Sequence, residues 1–164
     1  MGAPLQWTGV LPAITTPFTG TDEVDHEFLA EHATWLIENG CAGVVCLGSL
    51  GEGPTLRGDE RRAVLETVVE AVGTTVPVIA GVTAACTRDA VALCQSAADT
   101  GCRGLMLSPP TAHRGGWHET RTHLGAMASA TKLPCMLHNH PDASGTDLMP
   151  AQIAELATAH DSIL

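Results

Sequence analysis

The fold of this chain follows from one stretch, Gly43-Val44-Val45-Cys46-Leu47-Gly48-Ser49-Leu50-Gly51-Glu52. Its first half is a short apolar run rich in β-branched residues, which is typical of a strand that is covered on both faces. Gly48 and Gly51 then allow the backbone to turn sharply and to approach a ligand closely. Ser49 lies between them at the carboxyl end of the strand, where α/β proteins usually place their chemistry. The loop either offers a hydroxyl and backbone N–H groups to a small anion or only makes a tight turn.

Apolar runs and helical patterns alternate on both sides of this stretch. Strand-like runs lie at 10–15, 44–47, 77–82, 104–107, 134–137 and 162–164, and helix-like segments lie at 25–39, 59–72, 87–100, 117–130 and 151–159. Repeats of about 30 residues that alternate in this way predict parallel strands joined by helices. Two architectures satisfy this pattern, an open doubly wound sheet or a closed (β/α)8 barrel. Because a barrel needs about 250 residues, the 164 residues of this chain would form only its first part.

Composition and charge argue against several classes of partner. The formal net charge is −10 and the chain has a single lysine, Lys132, whereas phosphate binding needs clustered Lys and Arg, so we expect no nucleic-acid partner. No apolar run approaches the ~18 residues of a membrane-spanning helix, and residues 1–8 show no signal-peptide pattern, so we expect no membrane partner. Six cysteines lie mostly within apolar stretches and lack metal-ligand spacing, which indicates reduced thiols and a cytoplasmic location.

Four blocks of sequence, taken together and in order, carry a resemblance to a known family. They are Gly-Val-Leu-Pro-Ala-Ile-Thr-Thr-Pro-Phe at 9–18, Gly-Ser-Leu-Gly-Glu-Gly-Pro-Thr-Leu at 48–56, Pro-Val-Ile-Ala-Gly-Val at 77–82, and Asn139-x-Pro141. This set resembles the dihydrodipicolinate synthase/N-acetylneuraminate lyase family over essentially the whole chain. The resemblance implies a (β/α)8 TIM barrel, of which this chain covers about the first five βα units plus the start of strand six. Residues 1–164 are then the N-terminal part of a single aldolase-type domain.

The same resemblance implies a chemistry. Members of the family are class I aldolases and related lyases, often tetrameric, that bind pyruvate or another 2-oxo acid as a Schiff base on a lysine of the sixth strand. We therefore expect C–C lyase or hydro-lyase activity, a small 2-oxo acid as partner, a homo-oligomer, and no metal or organic cofactor. The family's lysine would fall a few residues beyond Leu164, and Lys132 does not match it. By this resemblance, the 164-residue chain by itself is not catalytically competent.

The site residues that the resemblance implies are only partly present. In the strand-two loop Ser49 keeps the first hydroxyl, and Leu50 replaces the second, so that the backbone N–H groups of Leu50 and Gly51 would hold the substrate carboxylate. His138 occupies the position of the family's strand-five tyrosine, and the chain contains no tyrosine. We expect His138 and Ser49 to be the catalytic residues, because imidazole titrates near neutral pH. Ala143 stands where dihydrodipicolinate synthases carry an arginine, which argues against that particular activity.

An alternative function rests on the same strand end. His138 and His140 are two residues apart, which can place both side chains on one face of a strand, and Asp142 and His113 could complete a metal site. His138 is alternatively interpreted as a substitution of the family's tyrosine in a chain that no longer has activity. The alternative is therefore a non-catalytic or metal-binding α/β protein.

Overall fold

The computed structural model describes residues 5, 7–111 and 115–164. Within these residues, helices and strands alternate along the chain as the sequence pattern predicts. The strands are β1 (Val44–Cys46), β2 (Val78–Val82), β3 (Gly104–Leu107) and β4 (Cys135–Leu137). The helices are α1 (His26–Glu38), α2 (Gly58–Val72), α3 (Thr87–Asp99), α4 (Trp117–Ala128), α5 (Pro141–Ser144) and α6 (Pro150–Ala159), with a short 3-10 helix at Gly53–Thr55.

The four strands form one parallel sheet in the order β1-β2-β3-β4. Each strand is hydrogen-bonded to the next one along the chain, with Val45 opposite Ile79, Ala80 opposite Leu105, and Leu105 opposite Cys135. A doubly wound sheet reverses its strand order at a switch point, whereas a barrel adds its strands in sequence. The strand order therefore matches a barrel, and it has no reversal within the described residues.

The first and last predicted strands join the sheet only through single bridges. Ala13 pairs with Val45 and Ile163 pairs with Cys135, both in parallel orientation. On the first side, the Val45 N–H donates to the Pro12 carbonyl at 2.8 Å and the Ile14 N–H donates to the Val45 carbonyl at 2.9 Å, but Pro12 has no N–H with which to extend the ladder. The runs predicted at 10–15 and 162–164 thus lie at the sheet edges without forming full strands.

The sheet is buried on both faces, as the apolar strand sequences predict. One face carries the larger core, in which Val44, Ala80 and Leu105 contact the helices through buried side chains such as Leu29, Val64, Ala90 and Leu124. The opposite, inner face carries a smaller cluster of Val45, Ile79 and Met106, covered by Leu5, Trp7, Leu11 and Met136. Successive residues of a strand point to opposite faces, so each strand contributes to both clusters.

Local signals in the sequence set several of the helix ends. Asp25 begins α1 as predicted, because its carboxylate accepts a 3.0 Å hydrogen bond from the Phe28 N–H. Gly40 follows the end of α1 with a φ of +93°, a conformation that favours glycine. The segment after β4 was expected to be a loop, but Pro141 begins the one-turn helix α5 there. No helix in the described part of the chain is both long and apolar enough to cross a membrane.

Gly81 in β2 is required by the close approach of the loop that follows β1. A Cβ atom added at Gly81 would lie 2.8 Å from the Gly48 N atom and 3.0 Å from the Leu47 carbonyl carbon. Both are backbone atoms, so the loop itself would have to move. We expect Gly81→Ala to lower the free energy of unfolding by about 1–3 kcal/mol in chemical denaturation. Gly58→Ala is the matched control, since nothing lies within 4 Å of its added Cβ; equal losses in both variants would contradict the explanation.

The buried His123 predicts a pH dependence of stability. Its Nδ1 lies 3.0 Å from the Thr87 hydroxyl, its Nε2 is buried without a partner in the described part of the chain, and burial lowers the pKa of the ring. The unfolded chain therefore takes up this proton first as the pH falls below the ordinary imidazole value of about 6.5. The contribution of His123 to the free energy of unfolding is therefore fully present above that pH and is lost as the pH falls further.

We therefore expect His123→Gln to flatten the loss of stability between about pH 7 and 5, where one such proton contributes a slope of up to about 1.4 kcal/mol per pH unit. Unfolding by denaturant at several pH values measures this slope. His118→Gln is the control, because His118 is exposed on the same helix. A slope that stays the same in His123→Gln would show that the buried ring is not the group that titrates.

Candidate functional site

The carboxyl ends of the four strands open into one concave pocket. It encloses about 380 Å³ of space that is partly open to solvent. Its polar lining comes from Ser144 of α5 and from side chains beyond the strand ends, namely Ser49, Thr83, Ser108, Thr111, His138 and His140. Pockets of parallel α/β sheets and barrels lie at this end of the strands. The structure thus brings together two of the predicted site residues, Ser49 and His138, which come from strands at opposite edges of the sheet.

The loop after β1 is held in an unusual conformation. Leu47 and Glu52, one at each end of the loop, have positive φ values of 61° and 52°. Such values are uncommon for residues other than glycine and persist only when the surroundings impose them. The surroundings here include a buried 2.7 Å hydrogen bond from the Thr16 hydroxyl to the Gly51 carbonyl. Thr16, which precedes α1, therefore helps to hold the loop in this conformation.

This loop presents free backbone donors at the predicted carboxylate site. The N–H groups of Leu50 and Gly51 have no hydrogen-bond partner within the described part of the chain. Ser49 is exposed and lines the pocket, whereas the Leu50 side chain is 68% exposed and Gly51 is buried. Consecutive backbone N–H groups in a tight turn form a concave site for an anion. The geometry is therefore suited to a carboxylate, with Leu50 contributing only its backbone.

His138 stands at the carboxyl end of β4 and faces the same pocket. Its backbone N–H donates a 2.8 Å hydrogen bond to the Leu107 carbonyl, which continues the β3–β4 ladder by one residue. Its Nδ1 atom lies 3.3 Å from the Ser108 Oγ atom. The His140 ring lies beside it, with 5.8 Å between the ring centroids.

Asn139, the first residue of the Asn-x-Pro sequence after β4, has a structural role. Its side-chain amide donates to the Asp147 carboxylate at 3.0 Å and to the Leu148 carbonyl at 3.2 Å. Its side-chain oxygen accepts from the Leu148 N–H at 3.0 Å. Asn139 therefore connects the end of β4 to the segment before α6, and its side chain serves the structure of this loop. It restrains the loop that carries His138 and His140.

The residues of the pocket that were not predicted from the sequence include two that directly follow strands. Thr83 and Ser108 each come directly after an apolar strand, β2 and β3 respectively, and both line the pocket. Their signal in the sequence is the first hydroxyl residue after each apolar run. Because parallel strands align their carboxyl ends, this offset alone could have identified them.

Four buried cysteines, Cys46, Cys94, Cys102 and Cys135, offer no nucleophile. Burial raises the pKa of the Cys94 thiol to about 12 and the pKa values of Cys102 and Cys135 to about 11, and it also raises the pKa of Cys46. The thiolate is the reactive form, so these groups are protonated and inert at neutral pH. They act as small apolar side chains of the core.

Metal ligands do not converge in the part of the chain that the structure describes. No group of three or more His, Cys, Asp or Glu side chains could hold an ion there. His138 and His140 are neighbours, but Asp142 is exposed and no third ligand accompanies them. His113, the other residue proposed for this site, lies outside the described residues.

Comparison with known proteins identifies the family. A sequence model of the Dihydrodipicolinate synthetase family matches residues 6–164. The chain is 38% identical to 4-hydroxy-tetrahydrodipicolinate synthase of Methanocaldococcus jannaschii over 155 residues, which are 94% of this chain and 53% of that protein. It is 40% identical to the protein of the same name from Natronomonas pharaonis, covering 96% of this chain and 53% of the relative. The chain thus spans about half the length of the curated relatives it matches.

Solved structures agree with this assignment. YagE, a prophage protein of the dihydrodipicolinic acid synthase family from E. coli K12 in complex with pyruvate, superposes with a TM-score of 0.92 at 30% identity, covering 97% of this chain and 54% of that one. Dihydrodipicolinate synthase from Acinetobacter baumannii, complexed with pyruvate, superposes with a TM-score of 0.87 at 32% identity, covering 91% and 51%. The chain belongs to the dihydrodipicolinate synthetase family, and its parallel sheet and helices are the first part of that family's (β/α)8 barrel.

Proposed function

We propose that this chain supplies the carboxylate-binding loop and the acid/base group of a lyase that acts on pyruvate or another 2-oxo acid through a lysine imine. Residues 1–164 then form the amino-terminal part of a single aldolase-type barrel domain. One observation carries the proposal: the Ser49 loop and His138, from the two edges of the sheet, line the same pocket. The two related structures described with pyruvate support a small 2-oxo acid as the ligand.

Each residue has a distinct role in this proposal. The free N–H groups of Leu50 and Gly51 and the hydroxyl of Ser49 hold the substrate carboxylate. His138 transfers protons to and from the reacting carbon and oxygen atoms, for which an imidazole is suited near neutral pH. Ser49 is the second catalytic residue because its hydroxyl contacts the bound substrate through the carboxylate. No metal or organic cofactor takes part.

The imine requires an amine other than Lys132. A Schiff-base lysine needs a desolvated setting that lowers its pKa, next to the carboxylate site. Lys132 is exposed and precedes β4, at the end of the sheet opposite to the pocket. It is the only lysine among the 164 residues. The imine-forming lysine of the proposed lyase is therefore not among these residues.

We also propose a homo-oligomer and a cytoplasmic location. The unpaired thiols of the described residues suit a reducing compartment. On α1 the rings of Phe28, His32 and Trp35 follow one another at 6.0 and 6.5 Å between centroids, and Phe28 and Trp35 are more than half exposed. An exposed aromatic row of this kind supports association with another copy.

Replacing Ser49 tests the carboxylate site. We expect the chain to bind pyruvate weakly in an NMR titration, with shifts centred on the loop after β1 and on His138. Loss of one hydrogen bond in Ser49→Ala should weaken the affinity by roughly 2- to 12-fold, which corresponds to about 0.5–1.5 kcal/mol. Leu50→Ala is the matched control and should keep its affinity, because only its backbone is proposed to bind. Equal affinities of wild type and Ser49→Ala would contradict the proposal and would indicate that the loop only makes a tight turn.

Trapping with borohydride tests the imine. We expect this chain, incubated with pyruvate and borohydride, to gain no pyruvyl adduct on Lys132 in intact-protein mass spectrometry, because that amine is exposed and far from the pocket. Lys132→Arg is the control that separates this amine from the chain's amino terminus. A stoichiometric adduct in the wild type that disappears in Lys132→Arg would contradict the assignment and make Lys132 the reactive group.

A further inference from the structure

We propose that Ser108 is a positioning residue, which holds the His138 ring in the orientation needed for proton transfer and sets the balance of its two neutral tautomers. The inference rests on the proposed acid/base role of His138 and deepens it, because it gives a function to a pocket side chain that the substrate contacts leave unused. Ser108 follows β3 directly, and His138 follows β4 directly.

The backbone fixes both residues before their side chains meet. The Ser108 N–H donates a 3.0 Å hydrogen bond to the Val82 carbonyl, and the His138 N–H donates to the Leu107 carbonyl at 2.8 Å. Leu107 is opposite Leu137 in the ladder, so Ser108 and His138 form the next pair along it. Paired residues of neighbouring strands project to the same face of a sheet. Both side chains therefore continue the inner face and enter the pocket.

The contact between the two side chains assigns a role to each ring nitrogen. The Ser108 Oγ atom lies 3.3 Å from the His138 Nδ1 atom, a length that is common for catalytic pairs before substrate binds. No other hydrogen bond to the His138 ring occurs within the described residues. Because Nδ1 faces the serine, Nε2 is the nitrogen left to exchange a proton with bound substrate.

A hydroxyl group suits this position because it can both donate and accept. When Nε2 must accept a proton, Nδ1 carries the ring hydrogen and donates it to the Ser108 oxygen. When Nε2 carries the hydrogen and must give it away, the Ser108 hydroxyl donates to the bare Nδ1. The serine can therefore hold the ring in the same orientation in both neutral tautomers, and because the two hydrogen bonds differ in strength it also shifts the ratio between them. A carboxylate or a carbonyl would accept only and would favour one of them.

Nitrogen NMR of the histidine rings in this chain tests the proposal directly. At about pH 8, above the ordinary imidazole pKa, ring nitrogen shifts report the ratio of the two neutral tautomers of each histidine. The ring of His140 is the titratable neighbour of the His138 ring. We expect Ser108→Ala to change the His138 tautomer ratio by up to about 12-fold, because the difference between the two hydrogen bonds does not exceed the free energy of one of them. Ser108→Thr keeps the hydroxyl and should restore the wild-type ratio.

A second serine–histidine pair in the chain provides the matched control. Ser129 Oγ lies 3.2 Å from His160 Nδ1, away from the pocket. Ser129→Ala should change the signals of His160 and leave those of His138 unchanged. An unaltered His138 ratio in Ser108→Ala would overturn the proposal, and so would equal changes in Ser108→Ala and Ser108→Thr, which would indicate packing alone.

The same samples separate this inference from the proposed function. Adding pyruvate to the wild type should shift the His138 ring signals if His138 serves the 2-oxo acid. A ratio that depends on the Ser108 hydroxyl, with no response to pyruvate, supports the positioning role and counts against the proposed substrate.

Discussion

The parallel hydrogen-bond ladder of β2, β3 and β4 is the constraint on which the pocket depends. It holds Val82, Leu107 and Leu137 side by side, so that the next residue on each strand emerges at the same height above the sheet. Those next residues are Thr83, Ser108 and His138, and all three are polar. A shift of one residue in either register would turn the strand side chains to the opposite faces and separate Ser108 from His138. The contact between Ser108 and His138 is therefore a consequence of backbone pairing, whereas the Ser49 side of the pocket depends on the loop after β1.

Burial on both faces explains how much of this fold can be read from the sequence. Strands covered on both sides must be apolar throughout, so Val44–Cys46 and Gly104–Leu107 stand out against their surroundings. The strands and the main helices follow from such runs and from local signals, as in the cap at Asp25. Ser49 and His138 could be placed at strand ends for the same reason. The prediction of a barrel, however, needed the family resemblance, because β/α alternation alone also fits a doubly wound sheet.

The features that the sequence did not reveal depend on contacts between distant residues. Pro12 lies in an apolar run that looks like a strand, but its missing N–H reduces the pairing to a bridge at Ala13. The positive φ of Leu47 has no local signal, because a leucine gives no reason to expect it. It occurs in a loop that has two contacts with distant residues. The Thr16 hydroxyl bonds to the Gly51 carbonyl, and Gly81 lies close to the backbone of Leu47. The contact between Ser108 and His138 likewise appears only once two strands are paired.

Histidine in place of a phenol changes what the site needs from its neighbours. A tyrosine hydroxyl has an ordinary pKa of about 10 and a single titrating atom, so it needs partners that lower that pKa before it can give up its proton at neutral pH. An imidazole titrates near neutral pH without such help, but it has two nitrogens, and only the correct tautomer presents the right one. In the proposed function, the neighbours of His138 therefore do not have to lower a pKa, but they have to keep the correct nitrogen facing the substrate. A hydroxyl at the end of the neighbouring strand contacts Nδ1 in either tautomer and leaves Nε2 to the substrate, and the ladder places Ser108 at that position.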